Sequence, residues 1–449
     1  MKQSDSITSG PITRTIFRLA IPPVFGMAMV SALSITDFFW VGKLGATAQD
    51  AVTSSMVVQW TVYSIISIIS IGTTAFVARY VGARKYSKVR FYIRQAFWLA
   101  VVLSVLMTIP GYLLAPRLLS FMGAGADTLS LAVPYLRVFV LSAILYLFED
   151  TAYAVFRASG DTKTPMIVSS SAVIVNMALD PLLIFGIGPF PQLGVLGASV
   201  ATAVAVLLAV IGIMVLLYRG NLGYRVPRLF RLKPHLRGMS RIALIGLPVA
   251  SQQLVFTAVY WFLIKIVHEF GESAGAAMGI GNRMESISYL TCFGFSLAAS
   301  TMVGQNLGAG KPDRAARCAW GATGLAGLLT LMIGLFFIVI PRPIASVFTS
   351  DPEVTRIAVD YLIILGLSQV AMAVEIVLEA SFSGAGDTIP PMLIGIIGSV
   401  SRVPLAYYLA LELDWGINGV WWTLTFTSAI KAIVLASWFR LGKWKTRKL

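Results

Sequence analysis

Long apolar stretches recur along almost the whole 449-residue chain, separated by short polar or basic loops. An α-helix needs about 20 predominantly apolar residues to cross roughly 30 Å of hydrocarbon. Twelve stretches reach that length, near residues 15–41, 53–78, 90–114, 130–154, 164–188, 194–218, 241–268, 276–304, 317–346, 356–383, 391–413 and 416–440. They predict an all-α integral membrane protein with twelve transmembrane helices. The first stretch is too long for a signal-peptide core, and the "VGKLGATAQD" that follows offers no convincing cleavage site, so it is expected to stay in the mature chain.

The pattern repeats. "FRASGDTKTPM" (156–166) and "FSGAGDTIPPM" (382–392) align at an offset of 226, which also carries Pro22 onto Pro248, Gly45 onto Gly271, Gly82 onto Gly308, Lys85 onto Lys311, Tyr135 onto Tyr361 and Glu149 onto Glu375. After a four-residue slip, "GVLGASV" at 194 meets "GINGVWW" at 416. Each half then holds six spans. Six is even, so both halves enter the membrane in the same direction and form a parallel repeat. The expected lobes are 1–218 and 241–449, joined by a basic linker over 219–240. Alternating access would place a substrate in a cavity between the two halves.

Composition agrees with the pattern and charge orients it. Hydrophobic residues make up 57% of the chain and charged residues 12%, with mean hydropathy +0.81, outside the range of soluble domains. The net charge of +15 suggests nucleic acid only until its distribution is considered. Three acid-free segments hold 18 basic residues: Arg79, Arg84, Lys85, Lys88, Arg90 and Arg94; Arg219, Arg225, Arg228, Arg231, Lys233, Arg237 and Arg241; and Arg440, Lys443, Lys445, Arg447 and Lys448. With twelve spans, all three fall on one side, and the opposite loops are neutral or acidic, as at Glu412 and Asp414. The positive-inside rule puts both termini in the cytoplasm of a multi-pass protein of the inner (plasma) membrane. The basic surplus faces anionic lipid headgroups, and no nucleic-acid partner is expected.

Topology gives the polar residues a depth. Asp37 falls near the outer end of the first span, Asn176 and Asp180 in the outer half of the fifth, and Thr202 about two turns below the outer surface in the sixth. Asn176 and Asp180 are four residues apart and share a helix face, and Pro181 frees a backbone carbonyl beside them. A carboxylate at mid-membrane costs roughly 2.5–3.5 kcal/mol, so two such residues normally serve a function. Protons and Na⁺ are expected to compete for this oxygen cluster. The residues alone leave two static readings open: Asp37 at the headgroup boundary, and Asp180 bonding a neighbouring helix. Pro22 and Pro23, about four turns before Asp37, favour a bend that is either static or linked to the site.

The second half carries different groups. Arg402 stands at the repeat position of Asn176, and Ala406 opposite Asp180, with Lys265, Glu285, Glu375 and Glu379 as its polar residues. An ion pair of Arg402 with Glu375 or Glu379 is expected in preference to direct substrate contact. His235 and His268 read as solvated. Cys292 and Cys318 fall in or beside predicted helices, which argues against a disulfide framework or metal cluster. No phosphate-binding loop supports direct ATP drive.

The segments "LAIPPVFGMAMVSALSITDFFWVGKLG", "VARYVGARK", "ASGDTKTPM", "NMALDPLLIFG", "GVLGASVAT", "MVGQNLGAGK", "SGAGDTIPPM" and "SRVPLAYYLAL" resemble the multidrug and toxic compound extrusion (MATE) family over nearly the whole chain. The resemblance implies a secondary active antiporter, not an enzyme, that exports cationic or amphipathic organic compounds in exchange for H⁺ or Na⁺. It implies no further cofactor, membrane lipids as partners, and function as a monomer. It also implies an N-lobe cation site of Asp37, Asn176, Asp180 and Thr202, with Tyr135 beside it and Pro22 at the first-span bend; Arg402, read from the repeat rather than from the resemblance, is a further cavity or gating candidate. The acidic residues that another branch uses in spans seven and ten are only partly matched, since Gln252 and Gln253 stand near the first of those positions. Two other readings compete. A flippase for lipids or lipid-linked saccharides shares the two-lobe plan but calls for more basic residues in its cavity. An intramembrane aspartyl hydrolase would use Asp37 and Asp180 as a dyad, but the chain lacks the glycine-flanked aspartate motif.

Overall fold

A computed structural model describes residues 2–220, 222–226, 229 and 233–449; Arg228 and Arg231 of the basic linker lie outside the described residues. Among the described residues, the regular elements are all helical. In order these are α1 (Lys2–Ser9), α2 (Ile12–Gly42), α3 (Ala46–Gly82), α4 (Tyr86–Phe121), α5 (Ala126–Leu141), α6 (Ala143–Ala158), α7 (Lys163–Phe185), α8 (Val195–Arg219), α9 (Leu236–His268), α10 (Glu272–Gly308), α11 (Pro312–Val339), α12 (Pro341–Phe348), α13 (Pro352–Ala385), α14 (Ile389–Val400), α15 (Arg402–Tyr407) and α16 (Ile417–Arg440). Among the described residues, eleven helices are long and apolar enough to cross a membrane. The α5–α6 pair, bent by 44°, makes a twelfth if it is one span.

The internal repeat is visible in the helix boundaries. α3 and α10 start and stop at residues related by the 226 offset, as do the starts of α4 and α11 and of α7 and α14. Gly45 and Gly271, at the matched entries to α3 and α10, both have positive φ (105° and 92°), which favours glycine.

The two halves break in different places, for local reasons. Between α5 and α6 the Thr108 hydroxyl donates to the Val140 carbonyl at 3.0 Å, taking the acceptor that the next helical turn would use. The Ser142 hydroxyl bonds back to Val138 at 2.8 Å, an arrangement that bends helices. In the second half the matching helix, α13, runs unbroken, and the interruption falls one span later, at Ser401. Pro404 has no N–H for the Val400 carbonyl, which weakens the helix at that turn. It resumes as α15 and widens into a π turn over Tyr408–Glu412. The apolar stretch 317–346 is likewise split into α11 and α12, where Pro341 opens the new helix.

The chain forms two compact units, Met1–Ser4 with Phe25–Gly246, and Asp5–Val24 with Leu247–Leu449. The division falls inside α2, just after Pro22 and Pro23, and α2 is helical throughout. In the second unit, Ile7, Ile16, Leu19 and Ala20 pack with Cys292, Phe295 and Cys318 in one apolar cluster. α10 and α13 approach closely at Gly384, where a Cβ would meet the Ser300 backbone carbonyl. Gly384→Ala is therefore expected to destabilise the protein by about 1–3 kcal/mol. An unchanged thermal midpoint in detergent would refute that contact. In the first unit, the linker is tied to α4 through Gln95, which accepts from the His235 backbone N–H at 2.8 Å and donates to the Lys233 carbonyl at 3.3 Å. The His235 ring is exposed, and its Nδ1 accepts from the Gly238 N–H at 3.1 Å, satisfying the start of α9.

Candidate functional site: an interior acid pair in the first unit

α7 carries Asn176 and Asp180 on one face, and both are buried, at 1% and 0% exposure. α8 packs against it and brings in Thr202: the Asn176 amide Nδ2 donates to Thr202 Oγ1 at 3.0 Å, and the Thr202 hydroxyl donates to the Ala198 carbonyl at 2.9 Å. Spending its N–H on Thr202 leaves the Asn176 Oδ1 as a buried acceptor without a donor. α2 supplies Asp37, whose carboxyl group interacts with that of Asp180. Among the described residues, no donor reaches Asp37 Oδ1 or either oxygen of Asp180. Pro181 adds a carbonyl, that of Met177, which its ring cannot satisfy.

Ionised carboxylates only accept hydrogen bonds. Two of them facing each other in a shielded place are stable only with a proton shared between them or a cation beside them. The surrounding groups are oxygen acceptors, the donor chemistry of a hard cation or a proton. Thr202→Val keeps the shape but leaves the Asn176 amide without its acceptor. About 1 kcal/mol of lost orientation corresponds to roughly a fivefold rise in the coupling-ion concentration for half-maximal transport. An unchanged ion dependence would remove Thr202 from the site.

Tyr135, on α5, reaches this group from the side. Its carbonyl accepts from the Ser199 hydroxyl at 2.9 Å, its hydroxyl accepts from Gln59 Nε2 at 3.5 Å, and both acids act on it electrostatically. Trp40, Val41, Ile184, Phe185 and Val195 form the apolar wall around it. Gln59 was not foreseen from the sequence, where one amide in a long apolar helix carries little signal. Pro22 is not part of this cluster, since it belongs to the stretch of α2 grouped with the second unit.

The second unit corrects one expectation. Arg402 is 6% exposed and pairs with neither Glu375 nor Glu379: its Nε donates to Thr427 Oγ1 and one terminal nitrogen to Ser428 Oγ, both at 3.0 Å. Glu375 pairs instead with Lys431 of α16, and Glu379 accepts from Gln252 Nε2 at 2.8 Å. The break at Ser401 explains the change. It starts a new helix at Arg402 against α16, whose hydroxyls receive the guanidinium. Lys431 was legible as a lone lysine in an apolar span.

Helices long and apolar enough to span a membrane, in two repeat-related units, one of them holding an interior acid pair, define a polytopic membrane protein of the transporter class. The MatE family profile matches residues 22–182 and 248–408, so that the second match begins and ends 226 residues after the first. The chain belongs to the MatE family. It is 28% identical over 444 residues to a probable multidrug resistance protein NorM from Thermotoga maritima, covering 97% of this chain and 94% of that one. It is 26% identical over 441 residues to the FAD transporter of Shewanella oneidensis, covering 96% and 95%. Its fold is similar to that of a MATE protein crystallised in the straight conformation, with TM-score 0.91, 24% identity and full coverage of both chains. The protein is thus a multi-pass membrane transporter with small-molecule substrates, not an enzyme.

Proposed function

We propose that the protein is a secondary active multidrug efflux antiporter that exports cationic or amphipathic organic compounds in exchange for H⁺ or Na⁺ by alternating access. The observation that carries this reading is the facing pair of Asp37 and Asp180, with no donor on the Asp180 oxygens and with Asn176 and Thr202 beside it. Such a pair binds a monovalent cation or a proton and changes its affinity when either acid moves. The relative from Thermotoga maritima, a probable multidrug resistance protein, supports the substrate class. The coupling ion is the only inorganic partner in this reading, and the protein works as a monomer in contact with membrane lipids. The basic loops and tail support a reading with both termini in the cytoplasm and the protein in the inner membrane.

The test is transport of ethidium in proteoliposomes under separately imposed pH and Na⁺ gradients. Transport indifferent to both gradients would overturn antiport. A second reading, export of an anionic dinucleotide such as FAD, is favoured by the relative from Shewanella oneidensis and by Arg402, a buried cation that donates to two hydroxyls and lies over the Phe256 ring. Saturable FAD transport without ethidium transport would select it.

A further inference from the structure

The repeat sets Glu149 of α6 opposite Glu375 of α13, and Tyr153 opposite Glu379. The two matched carboxylates are balanced in different ways. Glu375 has a counter-ion that is part of the chain, Lys431, with side chains 14% and 5% exposed. In the slipped register that joins Gly194 to Gly416, Lys431 falls on Ala209 of α8, so the first unit has no lysine at the equivalent place. Among the described residues no lysine or arginine forms an ion pair with Glu149. Its hydrogen bond comes from the Tyr153 hydroxyl, which donates to Oε1 at 2.8 Å. Arg157, two turns on, is engaged with Asp150 at 3.0 Å and with the Ser70 hydroxyl at 3.2 Å. The charged or titratable groups acting on Glu149 are Tyr153, Asp150 and Arg157 of its own helix, and Glu149 in turn acts on Tyr146 of that helix and on Tyr63 of α3. The rings of Tyr63 and Tyr146 meet edge to face at 6.0 Å.

We propose that Glu149 is a second proton-binding site, in which an exchangeable proton takes the place that the tethered Lys431 ammonium fills beside Glu375. The Tyr153 bond occupies Oε1, so the proton comes to rest on Oε2, turning a carboxylate into a neutral carboxyl group, and leaves to water when the site opens. One carboxylate and one phenol form too sparse a cage for a metal cation, which needs several oxygen ligands, but they suffice for a proton. Glu149 lies beyond the Ser142 bend from Tyr135, and Glu149, Tyr135 and Asp37 all act electrostatically on Tyr146, which lies among them. A proton bound at Glu149 is therefore linked to the state of the acid pair without touching it. This inference rests on the antiport reading for its role in the cycle, but not for its chemistry.

The test is infrared difference spectroscopy of the purified full-length protein across a pH titration, beside ethidium transport under a pH gradient. Glu149→Gln is expected to abolish one protonated-carboxyl band while the band of the Asp37–Asp180 pair remains, and to slow gradient-driven transport at least tenfold with ethidium binding retained. Tyr153→Phe, which keeps the carboxylate, is expected to shift the midpoint of the same band, and it decides the matter if the Gln variant does not fold. An unaltered set of bands in Glu149→Gln, an unmoved midpoint in Tyr153→Phe, or a band that responds to Na⁺ at fixed pH and not to pH would overturn the proposal. If wild-type protein moves no ethidium under any gradient, the antiport reading fails, while the spectra still decide whether Glu149 binds a proton.

Discussion

Asp180→Asn is expected to reduce gradient-driven ethidium transport to background while leaving the protein folded. The exchange is close to isosteric and removes the charge. Among the described residues, none donates a hydrogen bond to either Asp180 oxygen, so no such structural bond is lost. What is lost is the partner of Asp37, and with it the place where a proton or cation sits between the two. A cation held by a shielded carboxylate loses far more than 1.4 kcal/mol when that carboxylate is neutralised, and each 1.4 kcal/mol is tenfold in affinity. Asp37→Asn is expected to have the same effect. The double variant should be no worse than either single one, because the two acids act as one unit. Ethidium counterflow without an ion gradient distinguishes the cases: an uncoupled but folded carrier retains it. Full pH- or Na⁺-driven transport in Asp180→Asn would exclude the acid pair from coupling.

That pair was legible because three independent signals coincide on it. Hydropathy set the spans, loop charge set their direction, and the direction put Asp37, Asn176, Asp180 and Thr202 at one depth. The sequence could not reveal how the amide is used. Only the packing of α7 on α8 shows the Asn176 N–H committed to Thr202, which leaves its side-chain oxygen as a buried acceptor without a donor among the described residues. Gln59 and the wall around Tyr135 were missed because apolar and amide residues inside a membrane span look alike whether they face a site or a neighbour.

The fold was legible to the level of spans and repeat, and less so where spans break. Helix interruptions at Ser142 and Ser401 depend on who takes a carbonyl. At Val140 the taker is a threonine from another helix, which no pattern within the span announces. At Val400 it is a missing donor at Pro404, which was in plain view, yet Pro181 lies inside an unbroken α7. A proline weakens one turn, and tertiary packing decides whether the helix continues. The Arg402 expectation failed for this reason: it assumed one straight helix across Ser401, and the break redirected the side chain to Thr427 and Ser428.

Lys431→Ala is expected to be the most destabilising single change among the ionisable residues of the second unit. Its ammonium pairs with Glu375 in a shielded place, and its aliphatic stem lies against Gly398, where any Cβ would collide with it. Removing it leaves the Glu375 carboxylate without a counter-ion and leaves a void beside a glycine. Breaking a buried pair from one side typically costs about 3–5 kcal/mol, because the remaining charge is desolvated and uncompensated. Glu375→Gln strands the lysine in the same way and should cost a similar amount. Replacing both at once, as Lys431→Met with Glu375→Leu, removes both charges and fills the space, and is expected to recover most of the loss. Thermal unfolding in detergent reads all three. A Lys431→Ala midpoint equal to wild type would show that the pair contributes nothing. A double variant as unstable as the two single losses combined would show that the residues act separately. Transport then separates this pair from the acids of the first unit: Lys431 cannot leave Glu375 for solution as a proton leaves a carboxyl group, so the double variant should remain driven by the ion gradient that Asp180→Asn no longer uses.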